Sequence, residues 1–246
     1  MQIHRLSELL ARDKYEIVKE HLKKMGMRTG FNCLFYGSPG TGKTESVCQL
    51  ARLTGRDIIR INVNEIKSCW VGESEKLIAN VFESYRTIVE EREIAPILLF
   101  NEADAIFGIR RERATAAVDK MENSIQNIIL QEMEKLNGIL IATTNLSQNL
   151  DKAFERRFLY KIKFNNPDPD SKMKIWKSML SDLTEDDARE LAEEFDFSGG
   201  QIENVARKRM IANILEDKAT DLAEIKRYCR EELIENGSER IRKIGF

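Results

Sequence analysis

The chain has 246 residues, of which 42% are hydrophobic and 33% are charged, and its 39 basic and 41 acidic side chains give a net charge of -2. This composition is typical of a globular protein with one large or two smaller domains, and the balanced charge argues against duplex DNA as a principal partner. No apolar run approaches the roughly 20 residues that cross a bilayer, no secretory signal is visible, and the four cysteines form no C-x-x-C pair. We therefore expect no nucleic-acid partner, no membrane segment, and a cytoplasmic location with reduced thiols.

The first strong pattern along the chain is a short apolar strand, predicted over residues 33–36, that leads into the motif G-x-x-x-x-G-K-T. Such a loop curls so that its backbone N–H groups face phosphate oxygens, and the helix that follows adds a positive N-terminus. Lys43 suits the β- and γ-phosphates and Thr44 suits Mg²⁺, so we predict ATP or GTP binding rather than a glycine-rich structural turn. The predicted nucleotide-binding residues are Gly37, Ser38, Pro39, Gly40, Thr41, Gly42, Lys43, Thr44 and Glu45.

Further along, short apolar strands alternate with amphipathic helices, which predicts a parallel sheet covered by helices on both faces. The other predicted strands span 57–63, 97–100, 138–143 and 160–164, and the predicted helices span 45–53, 75–92 and 121–133. The apolar side chains of the second of these helices, Leu77 among them, are expected to face the sheet.

A turn-rich segment at 165–169 ends the alternation of strands and helices. Only helices are predicted beyond it, over 171–180, 184–194, 201–214 and 222–234, with Thr184 as an N-cap. We therefore expect two domains: an α/β domain over 1–166 with a helical lead-in at its N-terminus, and a small all-α domain over 167–246.

Polar residues follow two of the predicted strands at the edge where the phosphate loop is expected. Glu102 comes just after the strand at 97–100, and its carboxylate is suited to act as a general base that orients a water for in-line attack on the γ-phosphate. Asn145 follows the strand at 138–143, and its amide is suited to hold that water or to touch the γ-phosphate. The alternatives are a surface acid after a strand for Glu102 and a polar turn for Asn145.

Taken together, these motifs resemble the AAA+ ATPases, and within them the AAA clade of proteasomal ATPases, membrane AAA proteases and microtubule-severing enzymes. The resemblance covers nearly the whole chain. It implies a P-loop NTPase sheet of strand order 5-1-4-3-2 followed by a small helical lid, with Walker A at 37–44, Walker B at 97–102 and sensor 1 at Asn145. It also implies Mg²⁺-ATP as the ligand and adenine-side packing near Gly200.

The resemblance further implies arginine fingers at Arg156 and Arg157, which act on the ATP of a neighbouring subunit. A ring of identical chains, with a homo-hexamer as the expected form, follows from that implication. Without the family pattern, the favoured interpretation is that the two arginines form surface ion pairs.

Trp70, Val71 and Gly72 lie in a segment that resembles the pore loop with which this clade grips an extended polypeptide. An aromatic side chain on a glycine-flanked loop can wedge between substrate side chains of many kinds. The alternative is a buried tryptophan that anchors the loop.

The chain departs from the clade at two places. Asn101 stands where the family usually has the Walker B aspartate, so it can reach Mg²⁺ through water but supplies no negative charge, and weaker Mg²⁺ binding is expected. The segment with the two arginines also lacks a common spacer, which leaves open whether Arg156 or Arg157 is the main finger.

From these features we expect an ATPase that hydrolyses Mg²⁺-ATP in a ring and remodels, unfolds or disassembles a protein substrate. One alternative is a slowly hydrolysing, ATP-dependent assembly switch or scaffold, which Asn101 favours. A second is a nucleic-acid loader, against which the acidic balance and the Trp70 loop argue.

Overall fold

A computed structural model describes residues 2–62, 73–108, 117–146, 150–216 and 221–233. The chain divides into two compact units, Met1–Asn165 and Asn166–Phe246. The predicted pore-loop residues Trp70, Val71 and Gly72 lie outside the described residues.

The first unit is built on a five-stranded parallel sheet with the order β2-β3-β4-β1-β5. Every described strand pair in this sheet is parallel. The predicted strand order, and with it the P-loop fold class, is therefore confirmed. The strands are β1 (Phe31–Gly37), β2 (Ile58–Asn62), β3 (Ile97–Asn101), β4 (Ile139–Thr144) and β5 (Tyr160–Phe164).

Helices cover both faces of the sheet because alternate strand residues point to opposite sides. In β1, Leu34 packs into one apolar cluster, whereas Cys33 and Phe35 pack into the other. The central strands β3 and β4 are buried along their whole length, which explains their unbroken apolar sequences. The helices of this unit are α1 (Gln2–Leu10), α2 (Arg12–Lys24), α3 (Lys43–Thr54), α4 (Glu73–Glu91), α5 (Asp104–Phe107), α6 (Ala117–Lys135) and α7 (Lys152–Glu155).

Helix α4 packs on the sheet as predicted, with Ile78, Phe82 and Tyr85 almost fully buried. The prediction that Leu77 faces the sheet is wrong, because its side chain is 39% exposed. Leu77 lies at the margin of the apolar stripe, where helical periodicity alone does not separate buried from exposed positions.

The second unit contains only helices among its described residues, and they surround the fully buried Trp176. Side chains at the N-cap accept backbone hydrogen bonds at three of the helices: Asp168 from Ser171 at 2.8 Å, Thr184 from Asp187 at 3.1 Å and Asp221 from Glu224 at 2.9 Å. The predicted N-cap at Thr184 is therefore confirmed. The helices are α8 (Pro169–Met179), α9 (Glu185–Glu194), α10 (Gly199–Glu216) and α11 (Leu222–Glu232).

None of the helices in the described parts of the chain is long and apolar enough to cross a membrane.

Candidate active site

The loop between β1 and α3 has the backbone conformation that its glycines predict. Gly37 has φ of 146°, and a Cβ atom placed there would lie 2.0 Å from the carbonyl oxygen of Phe164, so only glycine fits. Gly40 and Gly42 have φ values of 73° and 87°, in the left-handed region that glycine adopts without strain. The loop leads directly into α3, whose N-terminus favours an anion through its unpaired N–H groups and dipole.

Lys43 is the cation at the centre of this loop, and only 8% of it is exposed. Its ammonium donates to the carbonyl oxygens of Gly37 at 2.8 Å and Ser38 at 2.7 Å and to Oδ1 of Asn145 at 2.9 Å. Burial lowers the pKa of Lys43, whereas the carboxylates of Asp104 and Glu102 act to raise it. All three acceptors are neutral oxygens, so the ammonium gains by exchanging them for charged phosphate oxygens.

Thr44 and Asn101 meet where the resemblance places Mg²⁺. The hydroxyl of Thr44 donates to Oδ1 of Asn101 at 2.8 Å, and the hydroxyl of Thr143 donates to the same oxygen at 3.2 Å. These groups fit Mg²⁺ in kind, because this cation prefers oxygen ligands and keeps several of its waters. Asn101 supplies an oxygen without a negative charge, which fits a weaker metal site.

Glu102 lies immediately after β3 at the same edge of the sheet, and its side chain is exposed. Among the described residues other than glycine, it alone has a positive φ, of 53°. Its backbone N–H donates to Oγ1 of Thr143 at 3.0 Å, which holds this conformation in place. A left-handed glutamate costs conformational energy, and such strain is concentrated at functional sites.

Asp104 is a site residue for which the sequence alone predicts no role. Its carboxylate accepts hydrogen bonds from the hydroxyl of Thr144, from the backbone N–H of Asn145 at 2.7 Å and from Nδ2 of Asn145 at 3.2 Å. The sequence shows only an acid three residues after Asn101. Its pairing with Thr144 and Asn145, at the end of β4, depends on the fold.

The two arginines lie at the amino ends of the strands, whereas the phosphate loop lies at the carboxyl ends. They precede β5, and the carbonyl oxygen of Arg157 accepts from Nδ2 of Asn32, at the start of β1, at 3.3 Å. The loop follows Gly37 at the other end of β1, five residues away, which corresponds to roughly 17 Å along a strand. The structure therefore does not bring Arg156 or Arg157 to the phosphate loop of the same chain.

The two arginines also differ in their partners. The guanidinium of Arg157 donates to Glu134 at 2.6 Å and to the carbonyl oxygen of Ala153 at 3.1 Å. Arg156 is exposed, and its guanidinium pairs with no acid in the described part of the chain. Gly200, the remaining predicted site residue, is the second residue of α10 in the second unit.

This difference predicts unequal effects on stability when each arginine is replaced. Arg157→Ala should lower the free energy of unfolding by about 1–2 kcal/mol, because it removes a partly buried ion pair and leaves Glu134 without its closest cation. Arg156→Ala should leave the unfolding free energy within about 0.5 kcal/mol of the parent. Urea denaturation of both variants measures the difference; equal losses would mean that the pair with Glu134 does not distinguish the two arginines.

The chain is similar to known proteins over most of its length. The profile of the family described as "ATPase family associated with various cellular activities (AAA)" matches residues 33–166, more than half of the chain. Protein CdcH of Halobacterium salinarum is 31% identical over 214 residues, which cover 82% of this chain and 28% of that protein. Vacuolar protein sorting-associated protein 4B of Pongo abelii is 31% identical over 199 residues, which cover 76% of this chain and 43% of that protein.

Among solved structures, the AAA domain of FIGL-1 in complex with ADP has the same fold. Its TM-score is 0.65 at 20% identity, and the match covers 81% of this chain and 71% of that chain. The matched part of the chain covers less than half the length of CdcH and of vacuolar protein sorting-associated protein 4B.

Proposed function

Because the chain belongs to the AAA family of ATPases, we propose that it hydrolyses Mg²⁺-ATP at the loop formed by residues 37–44, within a ring of identical chains that remodels a protein substrate. The central support is a pair of hydrogen bonds at the carboxyl edge of the sheet, from Lys43 to Asn145 and from Thr44 to Asn101. No other described part of the chain combines a phosphate loop, oxygen ligands and a nearby acid.

In the proposed reaction, a water attacks the γ-phosphorus and Glu102 takes its proton as the bond to the β-phosphate oxygen breaks. The backbone of the loop, the N-terminus of α3 and the ammonium of Lys43 hold the phosphates and offset their charge. Mg²⁺, held by Thr44 and through water by Asn101, supplies further neutralisation when bound.

The position of the arginines supports a ring. Arg156 is too far from the loop of its own chain to reach the γ-phosphate, yet it is exposed and has no acidic partner among the described residues. Such a guanidinium can stabilise the charge of a transferred phosphoryl group only in a neighbouring chain. We therefore propose Arg156 as the main finger and Arg157 as its anchored neighbour, with a homo-hexamer as the expected ring.

The dependence of turnover on protein concentration tests this proposal. ATP turnover per chain should rise steeply over the concentration range in which mass photometry shows rings forming, because each site needs a neighbour. A turnover per chain that is the same in monomer and ring would contradict completion by a neighbour. Turnover far below about 1 s⁻¹ in the assembled ring would favour the switch or scaffold.

Asn101→Asp is predicted to lower the Mg²⁺ concentration that gives half-maximal turnover, by roughly 3- to 10-fold, since a carboxylate adds charge beside the metal. An aspartate can accept the same hydrogen bonds from Thr44 and Thr143, so the shape of the site is kept. The measurement is the ATPase rate across a Mg²⁺ titration, with maximal turnover expected not to fall. An unchanged midpoint would place Asn101 outside the influence of the metal.

Protein remodelling rests on the resemblance of Trp70 and its neighbours to a pore loop. Trp70→Ala is predicted to keep basal ATP turnover and to abolish substrate-stimulated turnover or unfolding of a model substrate. The other tryptophan of the chain is a matched control: Trp176 is fully buried, so Trp176→Ala should cost roughly 3–5 kcal/mol of stability. If Trp70→Ala lowers the melting temperature as Trp176→Ala does, Trp70 is an anchor and the threading proposal fails.

A nucleic-acid loader remains the less favoured function, because the chain has 39 basic against 41 acidic side chains. DNA binding that weakens steeply with salt would favour that function over protein remodelling. We also propose a cytoplasmic location, which the free thiols of Cys33, Cys48 and Cys229 support.

A further inference from the structure

The carboxylate of Asp104 controls how the side-chain amide of Asn145 is oriented. Asp104 is the first residue of α5 and is half-buried just beyond the end of β3. It accepts from both nitrogens of Asn145, the backbone N–H at 2.7 Å and Nδ2 at 3.2 Å. On the other side of the same amide, Oδ1 of Asn145 accepts from the ammonium of Lys43 at 2.9 Å.

The two partners of this amide are chemically opposite, and together they permit one orientation. An ionised carboxylate only accepts hydrogen bonds and an ammonium only donates them. Turning the amide over would set Oδ1 against the carboxylate of Asp104 and Nδ2 against the ammonium of Lys43. An acceptor would then face an acceptor, and a donor would face a donor. Both hydrogen bonds, each to a charged group, would then be lost.

A second contact holds Asp104 and the turn after β4 together. The hydroxyl of Thr144 donates to Asp104 and accepts from the backbone N–H of Leu146 at 3.0 Å. Asp104 thus binds the side chain of Thr144 and both nitrogens of Asn145. This arrangement fixes the place of the Asn145 amide as well as its orientation.

We propose that Asp104 is a positioning residue that presents the oxygen of Asn145, and not its nitrogen, to the phosphate side of the site. The inference rests on the proposed function and deepens it. With its oxygen forward, Asn145 accepts a hydrogen bond from Lys43 or from the attacking water, and it does not donate to the γ-phosphate. Of the two roles that the sequence leaves open for Asn145, holding the water is the one that this geometry supports.

Asp104→Asn tests the proposal with little change in shape. The new amide can still accept from Thr144 and the backbone of Asn145, but its nitrogen then faces Nδ2 of Asn145 and favours turning that amide over. Turnover should fall roughly 10- to 100-fold, while the KM for ATP does not rise. Asp57→Asn is the matched control, because Asp57 is exposed at the opposite edge of the sheet and pairs with Arg92; its turnover should equal that of the parent.

A double-mutant cycle with Asn145→Ala separates positioning from a general loss of structure. If Asp104 acts through Asn145, adding Asp104→Asn to Asn145→Ala should lower turnover no further. Full additivity of the two losses, or parental turnover in Asp104→Asn, would overturn the proposal.

Binding gives a readout that does not need hydrolysis. In the Glu102→Gln background, Asp104→Asn should raise the ratio of ATP affinity to ADP affinity about threefold or more, because the turned amide now offers an N–H to the γ-phosphate. The rise should vanish when Asn145→Ala is also present. An unchanged ratio would overturn the positioning role even if the parent hydrolyses ATP as proposed. If Asp104→Asn raises the ratio but the parent has no ATPase activity, the positioning role is upheld and the proposed function fails.

Discussion

Glu102→Gln is expected to reduce ATP turnover roughly 10²- to 10⁴-fold while ATP binding stays within a few-fold of the parent. The amide keeps the size and shape of the side chain but cannot take a proton from the attacking water. The backbone hydrogen bond from residue 102 to Thr143 does not involve the side chain, so the left-handed conformation should be retained. Steady-state ATPase assays and nucleotide titrations measure the two quantities separately.

Glu93→Gln is the control for this prediction. Glu93 is an exposed acid that precedes β3, at the other end of the strand that leads to Glu102, and it pairs with Arg12. Its replacement should leave turnover unchanged. If Glu102→Gln hydrolysed ATP at the rate of the parent and of Glu93→Gln, Glu102 would not be the general base.

Lys43→Ala is expected to weaken ATP binding by roughly 100-fold or more, since it removes a cation that makes charge-assisted hydrogen bonds to phosphate. The same change removes the hydrogen bonds that the ammonium donates to the carbonyl oxygens of Gly37 and Ser38, so the loop also loses internal support. Isothermal titration with ATP measures the loss of affinity.

A second buried lysine provides the comparison for Lys43. Lys172 is 5% exposed and pairs with Asp196 in the helical unit. Lys172→Ala should lower stability without any comparable loss of ATP affinity. ATP binding at parental strength by a folded Lys43→Ala variant would mean that the loop does not hold the phosphates through this ammonium.

Much of the fold was predictable from the sequence because the signals are local. The apolar sequences of β3 and β4 predict buried parallel strands; β3 ends one residue later than predicted, and β4 begins and ends one residue later than predicted. The strand order came from the family resemblance, since periodicity does not specify which strands are neighbours. The four-residue helices α5 and α7 were missed, because one turn is too short to show a helical period.

The candidate site was predictable in its residues but only in part in its contacts. Lys43 and Asn145 are 102 positions apart, and so are related only by the fold. Glu134, the acid that anchors Arg157, likewise lies 23 residues before it, in helix α6. Local patterns identify phosphate loops and strand-end acids, whereas the pairing of distant polar groups depends on strand order and side-chain orientation.

Mixing two inactive variants tests the central claim, that each site is completed by Arg156 of a neighbouring chain. Arg156→Ala and Lys43→Ala should each be nearly inactive alone, and mixed rings should regain a measurable fraction of parental ATP turnover, because some sites then combine an intact loop with an intact arginine. A mixture of Lys43→Ala with Glu102→Gln is the control and should regain none, since both defects lie in the same chain's half of the site. Turnover that stays at zero in Arg156→Ala and Lys43→Ala mixtures, with mixed rings demonstrated by mass photometry of differently tagged chains, would contradict completion of the site by a neighbour.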